Sequence, residues 1–141
     1  MTAAVPESRQ VAAALALPRA LEQGVCGDDL RDLYAPTVVS VEHPNPISPR
    51  GSTADLEHIV AASTAGAALL ASQRYAIRDV HESGDLVIFR YTWTGVIAAD
   101  RGPFRAGQEI TAHVAAFATI TDGRISGFET FDCYEPFGGT D

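Results

Sequence analysis

The sequence predicts an α+β fold in which a curved antiparallel sheet wraps around N-terminal helices. Three observations carry this. Helical patterning is confined to the first half of the chain, the hydrophobic period changes to two from Arg74 onward, and the last third holds two long apolar strands joined at Thr121-Asp122-Gly123-Arg124.

The elements follow in order. Val11, Leu15 and Leu21 among alanines read as a first helix, which Pro18 should kink or divide. Gly27-Asp28 separates it from a short amphipathic segment, Asp29–Tyr34, that ends at Ala35-Pro36 because the residue before proline is driven out of the α region. Thr37-Val38-Val39-Ser40-Val41 is a β-branched run that stops at Glu42-His43-Pro44. Pro44 to Gly51 holds three prolines in eight residues and reads as a stiff loop, a lid or rim. Ser52-Thr53-Ala54-Asp55 offers a capping signature for a third helix with a stripe of Leu56, Ile59, Val60, Ser63, Ala67 and Leu70. Strands are expected over Tyr75–Val80, Leu86–Ala98, Glu109–Thr121 and Arg124–Tyr134, the last two closed by the positive φ that Asp-Gly supplies.

Composition bounds the function. At 141 residues, 46% of them hydrophobic, the chain is read as one domain over 1–141 with a core of about 8–137. The net charge is -8 and the ten positive residues are all arginines, scattered along the chain, so nucleic acid and anionic membrane surfaces are not expected partners. Without lysine, no lysine Schiff base can form, which removes pyridoxal-phosphate and lysine-aldolase mechanisms; no cofactor is expected. The four histidines lack metal-ligand spacing, so no metal site is expected either. Cys26 and Cys133 read as packed thiols in a reducing, cytoplasmic compartment, and MTAAVPESRQ lacks the basic start of a signal peptide. Val87, Phe89, Tyr91 and Trp93 fill one strand face while Ile88, Arg90, Thr92 and Thr94 make the other more mixed. That is more apolar surface than a sheet with one solvated face needs, and it points to a homodimer or higher homo-oligomer through the open sheet face.

Asp132 is the first candidate site residue, since an ionisable group among apolar strand residues is where a proton donor can be held away from water. Alternation places it with Ser126, Phe128 and Thr130, and places Gly127, Glu129, Phe131 and Cys133 opposite.

The order of elements, the stretch Gly84-Asp85-Leu86-Val87-Ile88-Phe89-Arg90-Tyr91-Thr92-Trp93-Thr94-Gly95, Gly107 before a long strand and the Asp122-Gly123-Arg124-Ile125 turn resemble the SnoaL-like branch of the nuclear transport factor 2-like superfamily, over Val11 to Tyr134. The resemblance implies a cone-shaped α+β barrel open onto an apolar pocket, in a group that spans polyketide cyclases, ketosteroid isomerases, epoxide hydrolases and members without chemistry. Val41-Glu42-His43-Pro44 is similar to the isomerase segment ending in Glu-Asp-Pro, with His43 at the general-base position. Val39, Val41 and His43 share a face that would point into the cone. The isomerase oxyanion donors have no counterpart, since Leu17 and Pro18 stand in the first helix and Ala116 near the second acid, so steroid isomerisation is not expected. Asp132 matches the acid–base aspartate of SnoaL-like cyclases.

The implied site is then His43 as general base and Asp132 as acid or orienting group, with Tyr34, Phe89, Tyr91, Trp93, Ala116, Phe128 and Thr130 around a hydrophobic small-molecule substrate. The expected function is a cofactor-free cyclase, isomerase or hydrolase acting on a polyketide- or terpenoid-like molecule. The alternative is a non-catalytic binding or assembly module of the same fold.

Overall fold

A computed structural model describes residues 7–137. The first six residues, which include most of the stretch read against a signal peptide, and the last four lie outside the described residues. Helix α1 spans Arg9–Glu22 and is capped by Ser8, whose hydroxyl accepts from the Val11 amide. It runs without a break through Pro18. That proline is buried and lines a small hollow with Tyr75, Phe89 and Phe128, so tertiary burial holds a helix that local preference would interrupt. Gly27–Leu33 forms a 3₁₀ turn with Leu30 fully buried beneath it.

Strand β1, Tyr34–Glu42, starts three residues earlier than the β-branched run suggests and includes Pro36. Ser52–Ala54 is not a capping segment but a short strand, β2, antiparallel to β1. The cap of helix α2, Leu56–Leu69, is Asp55, whose carboxylate accepts from the His58 amide. Strands β3 (Leu70–Ser83), β4 (Leu86–Ile97), β5 (Glu109–Thr121) and β6 (Arg124–Tyr134) complete the chain. Both residues of the β5–β6 turn, Asp122 and Gly123, take positive φ, as a two-residue hairpin requires.

The six strands form one curved, unclosed sheet in the order β2-β1-β6-β5-β4-β3. The α+β cone expected from the sequence is therefore present, with one difference: the sheet is mixed, because β1 lies parallel to β6. A parallel pair needs a long crossover, and α2 with β3, β4 and β5 supplies it. The inner face carries Val87, Phe89 and Tyr91 of β4, Ala112, Val114, Ala116, Ala118 and Ile120 of β5, and Ile125 of β6, packed against α1 and Leu30. The small residues of β5 let the sheet bend closely around α1.

Candidate functional site

Where α1 stops covering the inner face, the sheet opens into a cleft of two adjoining chambers that share Ile47, Gly66, Trp93 and Tyr134 as walls. The outer chamber, of about 410 Å³, is apolar, with Leu69, Leu70, Ile97, Phe104 and Ile110 around it and Arg101 as its sole charged residue. The inner chamber, of about 380 Å³, is polar at its base, where Glu42, Gln73, Tyr75, Tyr91, Thr130 and Asp132 meet. Helix α2 and the rim loop supply the walls over the open side, so the loop read as a lid does border the cleft, through Ile47 and Ser48.

Asp132 stands opposite Val114 in the β5–β6 ladder and shares the inner face with Thr130 and Phe128. Its Oδ1 is buried without a hydrogen-bond partner among the described residues. Such an atom is costly to leave unmade unless a ligand or water completes it. Burial raises the carboxyl above the usual aspartate range, the Thr130 hydroxyl pulls it partly back, and the charge of Glu42 adds to the rise. The outcome is a carboxyl that holds its proton to higher pH than an exposed aspartate.

Glu42 reaches the same chamber because it pairs with Thr130 across the parallel β1–β6 ladder. Its Oε2 accepts from Asn45 Nδ2 at 2.7 Å. Asn45 is only 8% exposed. Its Nδ2 also donates to the His43 carbonyl, and its Oδ1 accepts from the Ile47 and Ser48 amides, so one side chain ties the carboxylate to the rim loop. The loop closes at Gly51, where φ is +67° and a Cβ would lie 2.5 Å from the Glu42 carbonyl oxygen.

The aromatic walls are fixed by a single amide. Gln73 Oε1 accepts from Trp93 Nε1 at 2.9 Å and from the Tyr75 hydroxyl at 3.2 Å, while its Nε2 donates to the Leu21 carbonyl of α1. The Tyr91 and Tyr134 hydroxyls make no side-chain hydrogen bond among the described residues. Burial pushes the Tyr75, Tyr91 and Tyr134 phenols above their ordinary range, so all three stay protonated and two of them are free to donate to a ligand.

The other nominated residues separate. Tyr91, Trp93, Thr130 and Asp132 border the cleft together. Phe89 and Phe128 line a smaller hollow of about 100 Å³ under α1, while Tyr34 and Ala116 are core residues that do not border the cleft. His43, expected in the cone, lies on the outer face. Its Nε2 is 2.6 Å from Glu129 Oε2 and its ring stacks on Phe131 at 4.2 Å. Val39, Val41 and His43 do share a face, but Val38 is the buried residue of the Thr37–Val41 run, which sets the phase of the strand so that Ser40 and Glu42 point inward. His43→Ala should therefore leave ligand affinity in the cleft within about twofold and lower stability by no more than about 1 kcal/mol, since the contact with Glu129 is half-exposed. Titration of Trp93 fluorescence and a denaturant melt would check both.

Sequence reasoning did not single out Glu42, Gln73, Tyr75 or Tyr134 as site residues. Tyr134 carried a signal, being two residues beyond Asp132 on the same strand face. Among the described residues, no group of three His, Cys, Asp or Glu side chains could hold a metal, and no helix is long and apolar enough to cross a membrane.

The mixed α+β cone is the fold of the nuclear transport factor 2-like superfamily. The chain belongs to the SnoaL-like domain family, whose model matches residues 14–128. No curated protein sequence matches it. Among solved structures it is similar to IdmH of Streptomyces antibioticus, described as a candidate polyketide cyclase, at 22% identity and a TM-score of 0.72 over 89% of this chain and 92% of that one. A candidate polyketide cyclase from Acidithiobacillus ferrooxidans aligns at 19% identity and a TM-score of 0.71, over 92% and 91%. TerC, co-crystallized with polyporic acid, aligns at 21% identity and a TM-score of 0.68, over 91% and 92%. At these identities the likeness establishes the fold.

Proposed function

We propose that this protein is a cofactor-free acid–base enzyme, a cyclase, isomerase or hydrolase for a hydrophobic polyketide- or terpenoid-like molecule, with Asp132 as the proton-transferring group. The observation that carries the reading is the buried, unpartnered Asp132 Oδ1 at the polar base of a cleft whose outer chamber is apolar. A carboxyl whose proton affinity is raised by burial can give a proton to a carbonyl or leaving oxygen and take one back from carbon or water, closing the cycle without a cofactor. Tyr91 and Tyr134 supply phenol donors for the oxygen on which negative charge develops, the role that α1, with Leu17 and Pro18, leaves empty. Glu42, held by Asn45, takes the place first given to His43 as the second acid–base group. The small molecule in the TerC crystals and the cyclase descriptions of the neighbours support the substrate class.

Deuterium exchange tests the reading without knowledge of the substrate. In D₂O, the α-protons of 4-phenylbutan-2-one or a related aryl ketone should exchange faster with the protein than in buffer, followed by proton NMR. No acceleration across a panel of aryl ketones that do perturb Trp93 fluorescence would overturn the catalytic reading. That outcome would leave the second one, a binding module, which the apolar outer chamber favours because it needs no chemistry to hold a ligand. On either reading the outer sheet face is assigned to self-association, since Val39 and Phe131 are 49% and 43% exposed on it.

A further inference from the structure

The charges of the cleft are arranged along its length. Glu42 and Asp132 line the inner chamber alone, Arg101 lines the outer chamber alone, and no other basic residue lines either. This arginine has a fixed base. Its amide donates to the Phe104 carbonyl and the Phe104 amide donates back, both at 2.9 Å, which closes a tight turn over Gly102-Pro103 at the mouth. Its guanidinium has no acidic partner within 4 Å among the described residues. The neighbouring Asp100 is turned away, its Oδ1 accepting from the Ala106 amide at 2.8 Å. On a chain of net charge -8, an unpaired arginine over an apolar chamber is the one point of the cleft that attracts an anion.

We propose that the cleft takes an elongated amphipathic ligand with a carboxylate at one end, which stops at Arg101 while the apolar body fills the outer chamber and an uncharged polar end reaches Glu42 and Asp132. The proposal rests on the reading of the cleft as a ligand site. A carboxylate fits because one guanidinium balances one charge and its planar fork matches two carboxylate oxygens. Two acidic side chains and no basic one line the base, so nothing there balances the same group and the ligand has one favoured orientation, which places its neutral end at Asp132.

Trp93 borders both chambers and is the sole tryptophan of the chain, so its fluorescence reports occupancy directly. Three probes of equal length, 6-phenylhexanoate, 6-phenylhexan-1-ol and 6-phenylhexylammonium, would be titrated at low salt. The carboxylate should bind about fivefold tighter than the alcohol, as an exposed to half-buried ion pair allows, and the preference should shrink in ~0.5 M salt. Arg101→Gln should remove the preference and leave the affinity of the alcohol unchanged, while Arg105→Gln on the same loop should preserve it. Equal binding of acid and alcohol, tightest binding of the ammonium, or a preference that survives Arg101→Gln would each overturn the proposal and leave the cleft as a ligand site. If no probe binds by fluorescence or calorimetry, the ligand-site reading falls and the proposal with it.

Discussion

Asp132→Asn is expected to slow enzyme-catalysed proton exchange by about 10²- to 10⁴-fold, because the amide keeps the shape of the carboxyl and loses its ability to give and take a proton. The same variant should be more stable than the parent at neutral pH, by about 1 kcal/mol, since the amide carries no charge to be desolvated at this largely shielded position. The pH dependence separates this from a general repacking effect. Burial raises the Asp132 carboxyl in the folded state above its value in the unfolded chain. Between those two values the folded protein binds more protons, so the parent loses stability as pH rises through the window, which opens near pH ~4. Below it the acid is neutral in both states and parent and variant should converge. Chemical denaturation at pH 3.5, 5 and 7 measures the difference; a gap between the two proteins that stays constant over this range would refute the assignment of a shielded acid.

Gly95→Val should remove ligand binding and cost about 2–3 kcal/mol of stability. The glycine lies beneath the Trp93 indole, and a Cβ at this position would come within 2.6 Å of Cζ2 and closer still to Cη2, with Leu70 Cδ2 at 3.1 Å on another side. A flat ring between two strands cannot yield by rotating a terminal methyl. It must leave its rotamer, break the bond from its Nε1 to Gln73 and vacate the wall shared by both chambers. Overpacking and a lost buried hydrogen bond add in the same direction. The readouts are a red-shifted Trp93 emission, a lower denaturation midpoint and no response to 6-phenylhexan-1-ol. A Gly95→Val protein that binds this probe like the parent would show that the indole is not the cleft wall described.

The strands of the second half were legible because each carries its own evidence. β5 and β6 occupy the residues that alternation and the Asp-Gly turn assign to them, and Asp132 lies on the face of Phe128 and Thr130 because β6 alternates regularly from Phe128 onward. β1 was legible as a strand and not in its orientation. Val38, Val39 and Val41 put apolar side chains on both faces, so Glu42 and His43 are equally good local candidates for the inner one. The choice is made by the β6 residues with which β1 pairs, and a local pattern cannot carry it. Pro18 repeats the lesson in a helix, where burial beside the aromatic hollow outweighs the missing amide. The convergence of Tyr75, Tyr91 and Tyr134 on one acid depends on sheet curvature across three strands, and only Tyr134 shares a strand with Asp132.

The parallel pairing of β1 with β6 has a bearing on how the molecule is made. β3 through β6 form by successive hairpins between chain neighbours, whereas β1 must wait for the final strand, as the 86-residue separation of His43 and Glu129 illustrates. Closing so long a loop is the slow part of such a topology. Glu42 therefore meets Asp132 only after the last strand has left the ribosome. A nascent chain can own most of its sheet and still lack the base of the inner chamber, which needs β1 and β6 side by side.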